Sequence, residues 1–269
     1  MSLPEFKDPV LLYEYQDDIA NISIFENKTY RWIQTGNGNI QSAMHKEQSW
    51  QPVLPYFPAL LSALLFSATP ASCLVIGLGG GELIRYLNHH LPQTELAAME
   101  NNPIMVAIFN EYFSTQTIHF DLLNHDICNL THYPSSKLHD IIFVDVFGNN
   151  SLPPCFYQQQ LYDKLGQSLS DDGVLAINLV VRNDHEALEL LKLIRAAFQQ
   201  KTLCLSVGQH MNLIVLAFRQ VPQVVSIARL RTVAARLSPG LGIDFEALVD
   251  NIIACNPNDG IHLPLVETP

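Results

Sequence analysis

Acidic and glycine residues at the ends of four successive apolar runs carry the chemistry that this sequence offers. The first is Ile76-Gly77-Leu78-Gly79-Gly80-Gly81-Glu82. Glycines between a buried strand and a helix let a ligand approach the backbone closely. The strict dinucleotide pattern GxGxxG asks for glycine where Glu82 stands, so what remains is GxGxG from Gly77, Gly79 and Gly81. Glu100 follows Gly81 by 19 residues, at the end of the next run. An ionised carboxylate has two acceptor oxygens and can take both ribose hydroxyls of an adenosine. Its other reading is a helix N-cap ahead of Pro103, a role that Asn101 or Asn102 could fill. Asp126, just past the third run, could accept the exocyclic amine of adenine with the Ile127 amide beside it, or could form a turn. Asp145 ends the fourth run and precedes Val146-Phe-Gly-Asn-Asn-Ser-Leu-Pro-Pro154. A Gly/Asn/Pro loop beyond the carboxyl end of a strand reads as a cover over a site.

Other chemistries find little support. No serine or cysteine sits in a nucleophile elbow. His89, His90, His119, His125, His132 and His139 include no i, i+4 pair on one expected helix with an acid as third ligand, so no metal is expected. Cys73, Cys128, Cys155, Cys204 and Cys255 are scattered, without CxxC, so neither a disulfide framework nor a zinc site is expected. With 15 basic against 26 acidic residues the net charge is -11, the wrong sign for a protein that neutralises nucleic-acid phosphates. Residues 48–81 carry no charge, but Pro52, Pro55, Pro58 and Pro70 interrupt them. The longest apolar piece, 59–66, is far short of the roughly 20 residues of a membrane span, so no membrane association is expected. The amino terminus lacks the layout of a signal peptide, and a reduced, cytoplasmic location is the expectation.

The elements that must position these residues follow from periodicity. Residues 10–15, 19–25 and 30–34 are short apolar-rich runs, separated by turn residues such as Glu26-Asn27-Lys28 and Gly36-Asn37-Gly38-Asn39. They predict a small antiparallel sheet of hairpins. From Cys73 onward, strands at 73–77, 95–99, 117–123, 139–145 and 173–180 alternate with helices at 82–90, 103–113, 156–169 and 185–199. A further helix is expected near 56–67, ahead of the first of these strands. Apolar strands alternating with helices predict a doubly wound α/β fold with a mostly parallel sheet. Strands at 202–207 and 212–218 follow with only Gly208-Gln209-His210 between them, so the last strand is expected to run antiparallel at or near the edge. Two helices, 223–237 and 244–254, come after the sheet. The expected division is 1–55 for the β-hairpin domain, 56–220 for the Rossmann-like nucleoside-binding domain and 221–269 for a helical tail.

The glycine loop resembles motif I of the S-adenosylmethionine-type Rossmann folds. Over roughly 10–220 the chain resembles the spermidine synthases, the aminopropyltransferases, and more closely their spermidine synthase-like members. The stretches that carry this are Phe25-Glu-Asn-Lys-Thr-Tyr30, Gly36-Asn-Gly-Asn-Ile-Gln-Ser42, Leu74-Val-Ile-Gly-Leu-Gly-Gly-Gly81, Ile142-Phe-Val-Asp-Val-Phe-Gly148 and Asp172-Gly-Val-Leu-Ala-Ile-Asn-Leu179. The resemblance implies an N-terminal β-domain closing over a methyltransferase-like Rossmann domain. It implies decarboxylated S-adenosylmethionine as a co-substrate, no prosthetic group, a di- or polyamine acceptor, and a homodimer. It casts Glu100 as the ribose acid, Asp126 as the adenine acid, and Gln41 as a donor-site glutamine. Tyr56 falls in the acceptor pocket and Asp145 is the acid that helps deprotonate the attacking amine. Three positions depart from the pattern. Gly80 replaces the loop aspartate that meets the donor's ammonium, and Glu82 can stand in only if its side chain turns inward. Gly148 replaces a second acid, and Tyr56-Phe57-Pro58 replaces a run with an acid in it. The donor half of the pattern is therefore better kept than the acceptor half. Two alternatives stay open: a methyltransferase using S-adenosylmethionine itself, and an adenosyl-ligand-binding protein without turnover.

Overall fold

The computed structural model describes residues 4–16, 21–36, 38–115, 118–132, 137–146, 151–208, 211–222 and 225–265. The expected cover at 147–150 with its Gly148, the Gln209 and His210 connection, and the expected starts at Thr117 and 223 lie outside the described residues.

The amino-terminal runs form an antiparallel sheet in the order β1 (Val10–Gln16), β2 (Asn21–Glu26), β3 (Tyr30–Thr35) and β4 (Asn39–His45). The β2–β3 turn is held by Asn27, whose Oδ1 accepts from the amides of Thr29 and Tyr30 at 2.9 and 2.7 Å. Ile24, Ile33 and Ala43 are fully buried and join the core of the larger domain, so this sheet is fixed onto its neighbour by a continuous apolar layer.

The second sheet holds the remaining strands in the order β10-β11-β9-β8-β5-β6-β7. These are β5 (Ser72–Ile76), β6 (Glu95–Glu100), β7 (Asp121–Asn124), β8 (His139–Val144), β9 (Leu169–Val180), β10 (Thr202–Ser206) and β11 (Asn212–Phe218). Strands β5 to β9 pair in parallel, and β11 runs antiparallel between β9 and β10. The predicted antiparallel last strand is thus present, one place in from the edge. Strand order reverses at β5, which has β6 on one side and β8 on the other. Ligands in open α/β sheets bind outside the carboxyl ends of the strands at such a point.

Helices α1 (Phe57–Leu61), α2 (Glu82–His90), α3 (Pro103–Ile108), α4 (Gln159–Gln167), α5 (Asp184–Ala197), α6 (Ile227–Leu241) and α7 (Phe245–Cys255) cover the sheet. Several differ in extent from the sequence-based expectation. The helix expected at 56–67 is α1 followed by a tighter 3-10 turn at Ser62–Leu65. The helix expected at 103–113 is α3 continued by a π turn at Phe109–Phe113. The helix expected at 156–169 begins later, because Gln158 is extended after a 3-10 turn at Pro154–Tyr157. Leu169 opens β9 instead of closing that helix, since it pairs with His139. Helix α6 runs past 237 and holds Pro239 in its last turn, closing at the left-handed Gly242.

The last two helices are built into the core. Leu230, Phe245, Val249 and Ile252 are buried with Leu64 and Phe218. Asn256, which caps the end of α7, bonds both the amide and the carbonyl of Cys204 at 2.8 Å, and Asn251 within the helix bonds those of Ser206. Two asparagines thereby cover the open edge of β10, which would otherwise offer unpaired backbone groups. The expectation of unpaired cysteines is corrected. Cys128 and Cys155 form a disulfide with Cα atoms 5.3 Å apart, while Cys73, Cys204 and Cys255 are free. Spacing in the sequence could not reveal the pair, because the fold brings the residues after β7 and β8 side by side. No described helix is long and apolar enough to cross a membrane.

Candidate active site

A cavity of about 380 Å³ lies beyond the carboxyl ends of β5, β6 and β8, at the reversal of strand order, with Gln41 and Ser42 of β4 across from them. The glycine loop forms its floor. Gly77 has φ +94, and a Cβ there would overlap the carbonyl oxygen of Asp145, so only glycine lets β5 and β8 end side by side. Gly79 has φ +51 and faces the cavity, its nearest neighbour being Ser42 at 3.9 Å from a Cβ position.

Glu100 and Asp126, at the end of β6 and just past β7, are held by backbone. Glu100 Oε2 accepts from the Leu78 amide at 3.1 Å and Oε1 from the Asn102 amide at 3.0 Å. Asn102, not Glu100, caps α3 through the Ile104 amide at 3.0 Å. Glu100 therefore braces the glycine loop against β6, and a carboxylate so held keeps lone pairs for a ligand. Asp126 Oδ1 accepts from the Cys128 amide at 2.9 Å, which is turn geometry, and Asp126 and Ile127 also line the cavity.

Asp145 is fixed from two sides. Asn178 Nδ2 donates to its Oδ1 at 2.9 Å, and the Tyr56 hydroxyl donates to its Oδ2 at 3.1 Å. Asn178 is oriented in turn by Asn212, whose Nδ2 donates to its Oδ1 at 2.9 Å. Burial pushes the Asp145 carboxyl up to about 6, against the two hydrogen bonds, which favour the anion. Burial, with the charges of Asp145 and Glu82, pushes the Tyr56 phenol well up, so it remains a donor.

Glu82 turns inward. Its side chain is only 2% exposed and lines the cavity, and Oε1 accepts from the amides of Val53 and Leu54 at 2.6 and 3.2 Å. Burial pushes its carboxyl up to about 8. One turn along α2, Arg85 is also buried and directs its guanidinium to the carbonyls of Gly80 and, at 2.7 Å, Ser49. That one side chain ties the glycine loop to the segment leaving the N-terminal sheet.

Of the residues singled out from sequence, Gln41, Tyr56, Gly77, Gly79, Glu82, Glu100, Asp126, Ile127 and Asp145 line one cavity. Gly81 does not. It sits behind the wall, where a Cβ would strike the Phe109 ring. Sequence reasoning missed Ser42, Arg85 and Asn178. Asn178 had a signal, a lone amide in the apolar run Ala176-Ile177-Asn178-Leu179. Arg85 had a weaker one, a charge inside an otherwise apolar turn. Among the described residues no group of three or more His, Cys, Asp or Glu is disposed to hold a metal.

No family model matches the chain. The polyamine aminopropyltransferase of Neisseria meningitidis is 28% identical over 249 residues, covering 91% of this chain and 93% of that one. The crystal structure of a probable spermidine synthase from Corynebacterium glutamicum superposes with a TM-score of 0.71, over 96% of this chain and 99% of that one, at 15% identity. Human methyltransferase-like protein 13, solved in complex with SAH, gives a TM-score of 0.60 at 26% identity over 68% of this chain and 89% of that one. The chain is thus similar from end to end to polyamine aminopropyltransferases in sequence, and it shares its fold with a probable spermidine synthase.

Proposed function

We propose that the chain is a spermidine synthase-like aminopropyltransferase that moves the aminopropyl group of decarboxylated S-adenosylmethionine to a di- or polyamine. The observation that carries this is Asp145, held by Tyr56 and Asn178 in the lining of the same cavity as Glu100 and the glycine loop. In this reading Gly77 and Gly79 admit the adenosyl group, Glu100 takes the ribose hydroxyls, and Asp126 with the Ile127 amide takes adenine. Gln41, from the sheet of residues 1–55, closes over the donor. The acceptor nitrogen attacks the methylene beside the sulfonium, the carbon–sulfur bond breaks, and methylthioadenosine leaves neutral. The acceptor must lose a proton whose solution pKa is about 10. Asp145, ionised above about 6, holds the amine near neutral pH and takes that proton as the new bond forms. The cavity supplies the in-line geometry.

The test is product formation. Decarboxylated S-adenosylmethionine with putrescine, cadaverine or spermidine should yield methylthioadenosine and the lengthened amine. Tight methylthioadenosine binding without transfer to any of the three would sink the aminopropyl reading. A methyltransferase using S-adenosylmethionine itself is the second reading. It is favoured by Gly80, where the loop aspartate is missing, and by the likeness to methyltransferase-like protein 13. Calorimetric titration with both donors separates the two by which one binds more tightly. A homodimer and a cytoplasmic location belong to the same reading. Exposed Val10 and Leu11 on the edge strand β1 support self-association, and sedimentation would measure it. With Cys128 paired to Cys155, the location rests on the enzyme class alone.

A further inference from the structure

Glu82 poses a problem that the proposed roles leave unsolved. Its Oε1 is satisfied by two backbone amides, but its Oε2, on a side chain that lines the cavity, is buried and has no hydrogen-bond partner among the described residues. A buried carboxylate oxygen without a donor is costly, and such groups are rare unless something else supplies the partner. Arg85 does not supply it, because its donors go to carbonyls. At position 80 an acid has no room: a Cβ on Gly80 would meet Ser42 Oγ at 2.5 Å and the Phe113 ring at 3.2 Å. Ser42 Oγ also accepts the Gly80 amide at 3.1 Å, so the serine occupies the space that a loop aspartate would need.

We propose that Glu82 is the receptor for a primary ammonium group of the substrates, bound through Oε2, and that it replaces the acid which position 80 cannot hold. This rests on the reading of the cavity as an adenosyl and amine site. An ammonium group carries three donors and the opposite charge. The cavity presents it with Glu82, the Asp145 carboxylate and the Tyr56 oxygen, all facing one another closely enough for their charges to interact. The same pair of acids disfavours a donor that still carries its carboxylate, because like charges would be forced together away from water. Where the ammonium it holds is the donor's, Glu82 is thus a specificity-determining residue for the decarboxylated donor.

The charge on Glu82 supplies a readout that a structural role would not move. The groups facing it are Arg85 on its own helix, Asp145 at the end of β8, and Tyr56 ahead of α1. With its carboxyl near 8, Glu82 is largely protonated at pH 7, whereas Asp145, near 6, is largely ionised. An ammonium ligand drawn to Oε2 favours the anion and expels that proton.

Calorimetry at pH 7, in buffers of different ionisation enthalpy, tests this on the full chain. Methylthioadenosine, which has no ammonium, should bind with no proton release and equally to the unmodified protein and to Glu82→Gln. Decarboxylated S-adenosylmethionine, or putrescine added to the methylthioadenosine complex, should release roughly one proton, with affinity rising on the order of tenfold per pH unit below 8. Glu82→Gln should abolish the release and weaken that ligand by about tenfold or more, the range for a charge-assisted contact. A loss confined to the donor assigns Glu82 to the donor's ammonium, and a loss confined to putrescine assigns it to the acceptor's. The release is measured on the unmodified protein, so it stands even if the variant fails to fold. Methylthioadenosine binding with no proton release by either ammonium ligand overturns this inference alone. Failure of methylthioadenosine to bind overturns the adenosyl reading and this inference with it.

Discussion

Glu82 and Asp145 are carboxyls raised above their ordinary values by burial, and both face the same cavity. A carboxyl whose folded pKa is raised makes folding less favourable once the unfolded chain ionises, and the loss grows until the folded pKa is passed. For Glu82 the window runs from about 4.5 to about 8. Glu82→Gln removes the charge and can keep the Oε1 contacts to Val53 and Leu54. The variant should therefore gain stability relative to the unmodified protein as pH rises through that window, and the difference should level off above it. Urea melts at pH 5, 7 and 9 measure it, and a difference that does not change with pH would refute a buried ionisable role. Comparison with the variant matters because His139, lowered by burial to about 4, weakens the fold in the acid direction. Asp145→Asn tests the proposed catalytic role. It keeps size and hydrogen bonding, so methylthioadenosine affinity should hardly change, while turnover with a diamine should fall by roughly 100-fold or more. A purely structural aspartate would instead lose stability and keep its activity per folded molecule. At this scale the sequence was informative where an acid ends a strand, as at Glu100 and Asp145. It could not show the orphaned oxygen of Glu82, whose other oxygen is taken by the amides of Val53 and Leu54 arriving from a distant part of the chain.

At the scale of elements, the glycines of the loop differ in what surrounds them, although all of them look alike in sequence. Gly77 is pressed against the end of β8, Gly81 against Phe109, and Gly79 faces open space. Gly77→Ala must displace the Asp145 backbone and adopt a positive φ, and it should destabilise the protein by about 1–3 kcal/mol or more. Gly79→Val also meets a positive φ but little crowding, so most of its effect should appear as lost methylthioadenosine binding. Melting temperature and ligand affinity, measured on both variants, should rank them in opposite order. The same rank in both assays would reduce the loop to a packing feature. Strands β5, β6, β8 and β11 could be read from their apolar runs, and the turn Glu26-Asn27-Lys28 from its residues. Helix ends were read less well. Leu169 fits a helix by its neighbours, yet pairing with His139 makes it a strand residue, and no local signal carries that information.

The whole molecule encloses the cavity with parts that are remote in sequence: the β4 end, the glycine loop, the turn after β7 and the segment before α4. Two ties lock the N-terminal sheet to the Rossmann domain, Ser42 to the Gly80 amide at 3.1 Å and Arg31 to the Tyr112 carbonyl at 2.6 Å. A third tie joins the other two walls. Cys128 follows Asp126 and Ile127, Cys155 follows Pro153 and Pro154, and the disulfide holds these two lining segments together. It closes a loop of 27 residues of sequence separation, for which chain entropy gives about 3.5 kcal/mol of stabilisation. Cys155→Ser, or reduction by a dithiol, should lower the stability of the protein by up to that amount. It should also weaken methylthioadenosine, because the free protein would then hold Asp126 and Ile127 in place less firmly and binding would have to order them. The glycine loop and Asp145 are tied elsewhere, so the Asp145 dependence of turnover should survive at saturating donor. Urea melts and calorimetry with and without dithiothreitol measure both effects, and Cys155→Ser should be insensitive to the reductant. A reductant that changes neither stability nor affinity, with free thiols confirmed by titration, would leave the disulfide without a part in shaping the site.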